Sequence, residues 1–370
     1  MRKVLLVTSI LTLVLCLIGC GNENASNEGS KAPITAPTKT PTMTPSVTIS
    51  ATPSATKVAT DQPEKRDLAK YRISDVIHSE ALKNNVINEK TDRQVYVYLP
   101  PSYFESEKSY PVIYYLHGFG ETPNAYFNSS TPLFDQAAVN GDTEFIVVYV
   151  DGACQYGGCY YVNSQVTGNW EDYVVNEVIQ YVDSNYRTIA NKDSRGICGF
   201  SMGGYGALHL AMEHPDIFGA VLSMSPGLIA DGDISMAMDS WDGDVYFRIA
   251  YGRAFSPNLK DTKNYANIPT FDGSKKDNKI VAQWENGFGN LKSKVDSYLS
   301  KQTKLKAIKI LYGELDSYKW IPRGCEALAQ ILKDKGVECE LEKFAGGHSI
   351  KPNAALNDIV PYFSKNLVVQ

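Results

Sequence analysis

One short segment, Gly199-Phe200-Ser201-Met202-Gly203, constrains the fold more than any other part of the chain. The preceding residues 194–198 favour a short buried strand, and residues 204–212 favour a helix with small side chains in its first turn. A serine at a sharp corner between a strand and a helix exposes its hydroxyl oxygen for attack on a substrate. Gly199 and Gly203 would remove Cβ atoms where the strand and the helix pass closely. The pattern therefore predicts a nucleophilic Ser201, and the alternative is a glycine-rich turn without chemistry.

Length and composition indicate a globular α/β protein. The chain has 370 residues, of which 43% are hydrophobic and 21% charged, enough for one large domain or two small ones with a packed core. The net charge is −5 and no run of Lys or Arg suggests a nucleic-acid surface. The 23 tyrosines are compatible with binding of carbohydrate or aromatic esters, and equally with packing at sheet edges.

The N-terminal residues have the features of an export signal. Arg2 and Lys3 precede an apolar run over 4–18, which ends in Leu17-Ile18-Gly19-Cys20. This ending is similar to the bacterial lipobox, in which the cysteine becomes the lipidated first residue of the mature protein. We therefore expect 1–20 to be a lipoprotein signal peptide with lipidation at Cys20, which anchors the protein to the bacterial cell membrane, facing outward. An uncleaved membrane anchor is the alternative.

Beyond the signal, the sequence divides into a linker and one folded domain. Residues 21–64 include a Thr/Pro-rich stretch that cannot bury a core, and we expect a disordered linker there. Alternating strand and helix patterns fill 65–370 and predict a mostly parallel sheet flanked by helices. Strands are predicted over 94–100, 111–116, 144–150, 194–198, 218–224, 307–312 and 337–344, and helices over 171–186, 202–213, 321–335 and from 353 onward. Between 228 and 300 the pattern weakens, and we expect loops and helices that cover the catalytic face.

The cysteines do not form a metal-binding pattern. Five remain after Cys20, and an odd number in an exported domain leaves at least one free thiol. Cys154 and Cys159 bound a short glycine-containing loop, so a disulfide between them is a hypothesis. No spacing fits a zinc site, and we expect no metal or cofactor. Asp-Gly-Asp turns within 228–300 lack the spacing of an EF-hand loop, which leaves calcium binding there open.

Chain order selects the partners of the serine. A nucleophilic serine needs a general base and an orienting carboxylate, which follow it in the chain when it lies at a strand–helix corner. His209 and His214 come too soon, so His348 is the predicted base, and a loop histidine without catalytic role is the alternative. Asp316 follows the strand over 307–312 and is the predicted acid, with Glu314 as the fallback. A helix-capping role is the alternative for Asp316.

Two backbone N–H groups are predicted to stabilise a developing oxyanion. Met202 follows the serine at a helix N-terminus, where the helix dipole favours negative charge. Phe119 lies in the glycine-containing segment 116–120, in a loop after an early strand. His117, in the same segment, is expected to support the loop rather than to transfer protons.

Three motifs together resemble a known family. Residues 116–120, 199–208 and 346–349 are similar to the Putative esterase branch of the α/β-hydrolases, which includes the feruloyl and acetyl xylan esterases of carbohydrate esterase family 1, esterase D and the mycolyltransferases. The resemblance covers about 70–368. It implies an α/β-hydrolase fold with one catalytic domain, in which Ser201, Asp316 and His348 form the triad.

The resemblance also indicates a function. We expect a serine esterase that removes feruloyl or acetyl groups from plant cell-wall polysaccharide such as xylan, needs no cofactor, and contacts the membrane through its N-terminal lipid. Acyl transfer to cell-envelope sugars, as in mycolyltransferases, is one alternative, and a lipoprotein that binds a ligand without catalysis is another. The sequence does not indicate the oligomeric state.

Overall fold

An eight-stranded sheet forms the centre of the structure, a computed structural model that describes residues 67–369. Its strands are β1 (Arg72–His78), β2 (Asp92–Tyr98), β3 (Val112–Leu116), β4 (Ile146–Val150), β7 (Arg195–Phe200), β8 (Ala220–Met224), β9 (Ala307–Gly313) and β10 (Glu340–Phe344). The two-residue strands β5 (Asn163–Ser164) and β6 (Gly168–Asn169) pair with each other outside this sheet.

The main sheet is mostly parallel, as predicted. The strands lie in the order β1-β2-β4-β3-β7-β8-β9-β10, and those from β4 to β10 run parallel to one another. Only β2 runs against both of its neighbours. Every residue of β3, β4, β7 and β8 is buried, which is the pattern of strands covered on both faces.

Helices cover the sheet. The α-helices are α1 (Pro123–Val139), α2 (Trp170–Asp172), α3 (Ile179–Asn185), α4 (Met202–Glu213), α5 (Ile234–Ser240), α6 (Val245–Phe255), α7 (Lys275–Phe288), α8 (Leu291–Ser300), α9 (Trp320–Asp334) and α10 (Val360–Asn366). A π-helical stretch, Tyr173–Val178, joins α2 to α3, and another, Ala355–Ile359, precedes α10. Helix α1 packs against Ala355–Ile359, whereas α4 packs against α8 and α8 against α9.

Many of the tyrosines belong to the core. The largest fully buried side chains include Tyr71, Tyr98, Tyr110, Tyr114, Tyr149, Tyr160, Tyr161, Tyr173, Tyr251 and Tyr298. Packing, the second of the two interpretations of the tyrosine content, therefore accounts for a large share of these residues. Core packing does not account for the tyrosine rings that lie at the surface.

Several sequence predictions lie outside the described residues. The signal peptide over 1–20, the lipidation site Cys20 and the linker over 21–64 all precede residue 67. From residue 67 to residue 369, no helix has the length and apolar character needed to cross a membrane. In the same range, no three His, Cys, Asp or Glu side chains are grouped so that they could hold a metal ion.

Candidate active site

Ser201 occupies a sharp corner between β7 and α4. Its backbone has φ 55° and ψ −114°, a conformation that costs energy for a residue with a side chain. The Ser201 N–H donates to the Met224 carbonyl at 2.9 Å, and the Ser201 carbonyl accepts from Tyr205 N–H at 3.0 Å. Strand β8 and helix α4 thus hold the strained residue in place.

The two glycines of the corner permit a close backbone approach. A Cβ atom at Gly203 would lie 2.2 Å from the Leu116 carbonyl oxygen, and a Cβ at Gly199 would lie 2.2 Å from the Gly203 carbonyl oxygen. Real Cβ atoms do not approach oxygen so closely, so any side chain here would push β3, β7 and α4 apart. The steric reason predicted for these glycines is confirmed.

The structure brings Ser201, His348 and Asp316 into one line. The Ser201 Oγ lies 2.9 Å from His348 Nε2, and His348 Nδ1 lies 2.7 Å from Asp316 Oδ2. Asp316 is completely buried, whereas 18% of the His348 side chain is exposed. With Nδ1–H donating to the carboxylate, Nε2 is free to accept the serine hydroxyl proton.

Asp316 has a second hydrogen bond that fixes its carboxylate. Its Oδ1 accepts from the Tyr318 N–H at 2.8 Å, while Oδ2 faces His348. The alternative of a helix cap is wrong, because α9 begins at Trp320 with Lys319 at its N-cap and no side-chain capping bond. The fallback residue, Glu314, lies on the surface with Oε2 3.8 Å from Lys343 Nζ and does not contact His348.

The loops that carry Asp316 and His348 pack on each other. The Leu315 N–H donates to the Gly346 carbonyl at 2.9 Å, and a Cβ at Gly313 would lie 2.2 Å from the Gly347 carbonyl oxygen. This contact follows from the parallel pairing of β9 with β10, because both loops leave the same edge of the sheet. The carboxylate and the imidazole are thereby kept at a constant separation.

The two predicted oxyanion donors, Phe119 and Met202, lie beside the serine. Both line the cavity that contains Ser201 and His348. Among the hydrogen bonds of residues 67–369, neither N–H donates to a protein acceptor. Both donors are thus open to a ligand in this cavity.

His117 supports the loop that carries Phe119. Its Nε2 accepts from the Gly152 N–H at 2.9 Å, which leaves Nδ1 to donate to the Gly118 carbonyl at 2.8 Å. Burial lowers the pKa of His117, which favours the neutral ring that this pattern requires. The supporting role expected for His117 is confirmed by these contacts.

The loop from Cys154 to Cys159 contacts both predicted donors, a feature that the sequence analysis missed. A Cβ at Gly157 would lie 2.5 Å from the Phe119 ring, and a Cβ at Gly158 would lie 2.2 Å from the Met202 sulfur. The Gly120 N–H also donates to the Gly157 carbonyl at 2.8 Å. Consecutive glycines at 157 and 158 were the only sequence signal of this close packing.

The disulfide hypothesised within this loop is not formed. Cys154 and Cys159 are both buried free cysteines. Cys159 Sγ accepts from the Tyr161 N–H at 3.3 Å, so it is engaged by the backbone that follows it. Burial raises the pKa of both thiols, which keeps them protonated and unreactive.

The cavity above Ser201 has a volume of about 370 Å³, and seven of its 16 lining residues are Phe, Tyr or Trp. Much of the wall comes from the predicted cover over 228–300, which is largely helical. The lining residues are Gly118, Phe119, Glu121, Phe200, Ser201, Met202, Gly227, Ser240, Trp241, Asp244, Phe247, Phe288, Tyr318, Trp320, Ile321 and His348. Its two carboxylates, Glu121 and Asp244, face no Lys or Arg within this lining, all of which belongs to the described part of the chain.

The other two histidines after Ser201 are engaged elsewhere. His209 Nε2 and His214 Nε2 lie 2.9 and 2.7 Å from the two carboxylate oxygens of Glu171. Burial alone would raise the pKa of Glu171, but hydrogen bonds from these histidines lower it below its ordinary range. Both histidines are thus bound to Glu171, which agrees with their exclusion by chain order as the base for Ser201.

The sequence that folds into this arrangement also matches a known protein family. The model of the family described as Putative esterase matches residues 87–363. The chain belongs to this family. The match spans the serine corner and the loops of Asp316 and His348.

Curated relatives resemble only part of the chain. An esterase of Mycobacterium tuberculosis is 34% identical over 137 residues, which is 35% of this chain and 28% of the relative. An endo-1,4-beta-xylanase/feruloyl esterase of Xylanibacter ruminicola is 27% identical over 163 residues, which is 42% of this chain and 22% of the relative. The chain thus spans less than a third of the length of these relatives.

A solved structure resembles nearly the whole described domain. A ferulic acid esterase superposes with a TM-score of 0.53 at 22% identity, covering 80% of this chain and 97% of its own. This likeness confirms the predicted α/β-hydrolase fold. At this identity the likeness concerns the fold, and the chemistry must be argued from the site.

Proposed function

We propose that this protein is a serine carboxylic ester hydrolase. The observation that carries the proposal is the line from Ser201 Oγ through the His348 imidazole to the buried Asp316 carboxylate, with separations of 2.9 and 2.7 Å. A hydroxyl, a base and an orienting carboxylate in this order are the components of nucleophilic acyl transfer. Membership of the Putative esterase family supports the same activity.

Each side chain has one task in the proposed cycle. His348 Nε2 takes the proton of Ser201 as Oγ attacks the ester carbonyl carbon, and Asp316 stabilises the resulting imidazolium. His348 then gives the proton to the leaving alcohol oxygen, and the acyl group remains on Ser201 as an ester. A water molecule, deprotonated by His348, attacks this ester, the acid leaves, and the proton returns to Ser201.

The N–H groups of Phe119 and Met202 are the proposed oxyanion hole. Neither has a protein acceptor within the described residues, and both line the cavity with Ser201. Met202 is also the first residue of α4, where the helix dipole favours negative charge. Loss of one such donor costs about 10²–10³-fold in kcat.

We propose a feruloyl ester as the substrate, with polysaccharide as the alcohol. Planar aromatic walls, including Phe119, Trp241 and Phe247, suit a flat aromatic acyl group in a cavity of about 370 Å³. Glu121 and Asp244 would repel an acyl group that carried its own carboxylate. The Xylanibacter relative and the structural neighbour, both named for ferulic or feruloyl esters, support this choice. Nothing in the site favours acyl transfer to a sugar or ligand binding without catalysis.

The function is tested with a fluorophosphonate probe and an ester panel. Wild-type protein should be labelled on Ser201, as located by peptide mass spectrometry, and should hydrolyse methyl ferulate faster than acetylated xylan or p-nitrophenyl acetate. Ser201→Ala should lose both labelling and turnover. Unchanged turnover in this variant would exclude the serine mechanism, and equally slow reaction with all three esters would exclude the feruloyl assignment.

We also propose that the protein is exported and held at the outer face of the membrane by a lipid on Cys20. The support is the sequence alone, with basic residues at 2 and 3, an apolar run and the lipobox-like ending. In detergent phase separation, wild-type protein should enter the detergent phase and Cys20→Ala should not. Equal partitioning of the two proteins would contradict the lipid anchor.

A further inference from the structure

Two tyrosines form a stacked pair on the surface. The rings of Tyr156 and Tyr246 lie with centroids 5.0 Å apart and planes inclined by 26°. Tyr246 is 59% exposed, and Tyr156 is half-buried. An exposed aromatic pair contributes little to the core, and contiguous exposed apolar surface commonly marks a binding site.

Each tyrosine of this pair directly precedes a residue that packs in or against the wall of the cavity above Ser201. Tyr156 precedes Gly157, whose backbone packs against the Phe119 ring. Tyr246 precedes Phe247, whose ring centroid is 4.7 Å from that of Phe119. Since Phe119 and Phe247 both line the cavity, each tyrosine is one residue away from a contact in the cavity wall.

Tyr156 has a strained backbone, and its ring packs against a buried charge. Its φ of 70° lies in the left-handed region, which is costly for tyrosine and is found most often where function requires it. The Arg253 guanidinium carbon lies 4.6 Å from the Tyr156 ring centre, and Arg253 is 3% exposed. Arg253 is itself fixed by hydrogen bonds of 2.8 Å to Gln155 Oε1 and to the Asn264 carbonyl. The ring is therefore pre-organised, which lowers the entropic cost of binding a ligand.

We propose that Tyr156 and Tyr246 form a sugar subsite, where a ring of the polysaccharide that carries the ester stacks on Tyr246. The inference rests on the proposed function, since it places the sugar beside the bond that Ser201 cleaves. A sugar ring has a face of C–H groups that packs on an aromatic ring, while its hydroxyl groups point outward to polar partners. With the acyl group inside the aromatic cavity, the alcohol part of the ester lies toward the rim.

The charges around Tyr246 favour a sugar over a membrane surface. Asp242 and Asp244 precede it in the chain, and both are exposed, with 88% of the Asp242 side chain accessible. Carboxylates accept hydrogen bonds from sugar hydroxyl groups. Anionic lipid headgroups attract basic segments and are repelled by carboxylates. Arg248 lies 3.9 Å from Asp242 and offsets only part of this negative charge.

The test compares two feruloyl esters that differ only in the alcohol, using the full chain. With Tyr246→Ala, KM for a feruloylated arabinoxylan oligosaccharide should rise about 5- to 10-fold, the scale of one aromatic stacking contact. The kcat for this substrate, and both constants for methyl ferulate, should change less than about twofold on the same scale. Tyr246→Phe should behave as wild type, because the ring is retained.

A matched control replaces an exposed aromatic residue at the end of the sheet opposite the active-site loops. Phe104 is 53% exposed and follows β2, whose last residue Tyr98 pairs with Val147 near the start of β4. Phe104→Ala should therefore leave KM and kcat unchanged for both substrates. If Tyr246→Ala changed KM equally for both esters, or changed it for neither, the proposed sugar subsite would be wrong.

Failure of the subsite and failure of the esterase function give different results. If wild-type protein hydrolyses neither ester, the proposed function fails, and calorimetric titration with ester-free arabinoxylan oligosaccharide still tests the subsite. Weaker oligosaccharide binding by Tyr246→Ala than by Phe104→Ala supports it, and equal binding overturns it. If Tyr246→Ala loses binding only to phosphatidylglycerol vesicles, the pair faces a membrane and the sugar proposal is wrong.

Discussion

Replacing Asp316 by Asn tests how the site controls the proton on His348. Asp316 Oδ1 accepts from the Tyr318 N–H at 2.8 Å, and Oδ2 accepts from His348 Nδ1 at 2.7 Å. An asparagine has one oxygen, and the fixed Tyr318 N–H donor selects it. The NH₂ group is then directed at His348 Nδ1, which must become an acceptor. The proton moves to Nε2, which can no longer accept the Ser201 proton.

The expected loss follows from this wrong tautomer. A histidine locked with Nε2–H is not a base toward serine, and such a change costs about 10⁴-fold in kcat, or about 5.4 kcal/mol in activation free energy. The opposite amide orientation would leave the Tyr318 N–H facing NH₂, with a penalty of about 1–3 kcal/mol for the unpaired donor. If asparagine accepts that penalty, kcat falls less and the protein becomes less stable.

The assay is p-nitrophenyl acetate turnover with thermal unfolding measured in parallel. Glu314→Gln is the matched control, because Glu314 lies two residues away on the surface and contacts Lys343 at 3.8 Å rather than His348. We expect this control to retain wild-type kcat. If Asp316→Asn kept kcat within tenfold of wild type with unchanged stability, the assigned tautomer mechanism would be refuted.

Two further substitutions test the packing at the serine corner and the Glu171 cluster. Gly203→Ala places a Cβ 2.2 Å from the Leu116 carbonyl oxygen and should lower the free energy of unfolding by about 1–3 kcal/mol, with a fall in kcat; urea unfolding and turnover measure both. Glu171→Gln should cost about 1–3 kcal/mol in urea unfolding at neutral pH, because the carboxylate is lost from hydrogen bonds with His209 and His214. The folded-state pKa of Glu171 lies below its ordinary value of 4.5, so this deficit should be complete above pH 4.5 and shrink as the pH falls further. A deficit that grew as the pH fell below 4.5 would contradict the assignment.

The order of residues along the chain was sufficient to select the two side chains that partner Ser201. Only one histidine lies far enough after Ser201, and a carboxylate follows the strand before it, so His348 and Asp316 were selected without knowledge of their positions. Parallel strands deliver their C-terminal loops to one edge of the sheet, which is why a one-dimensional order becomes a three-dimensional contact. The catalytic roles of these residues remain predictions, and their mutual geometry is that of a nucleophile, a base and an orienting carboxylate.

Two elements of the fold had no clear sequence signal. Strand β1 lies at the sheet edge, with three consecutive exposed residues that break the alternation of a half-buried strand. Helix α1 contains Pro132 and several Ser, Thr and Asn residues, which have low helix propensity. Both are stabilised by contacts with β2, which a local pattern does not include.

The cavity wall was also beyond local patterns, because its members are distant in the chain. Phe119 follows β3, Gly157 lies in the loop after β4, and Phe247 belongs to α6, yet the Phe119 ring contacts both of the others. The position of the Phe119 N–H, the proposed oxyanion donor, therefore depends on the loop over 154–159 and on the cover over 228–300. Substrate selection and transition-state stabilisation share these contacts, so changes in the cover that alter the acyl preference should also alter kcat.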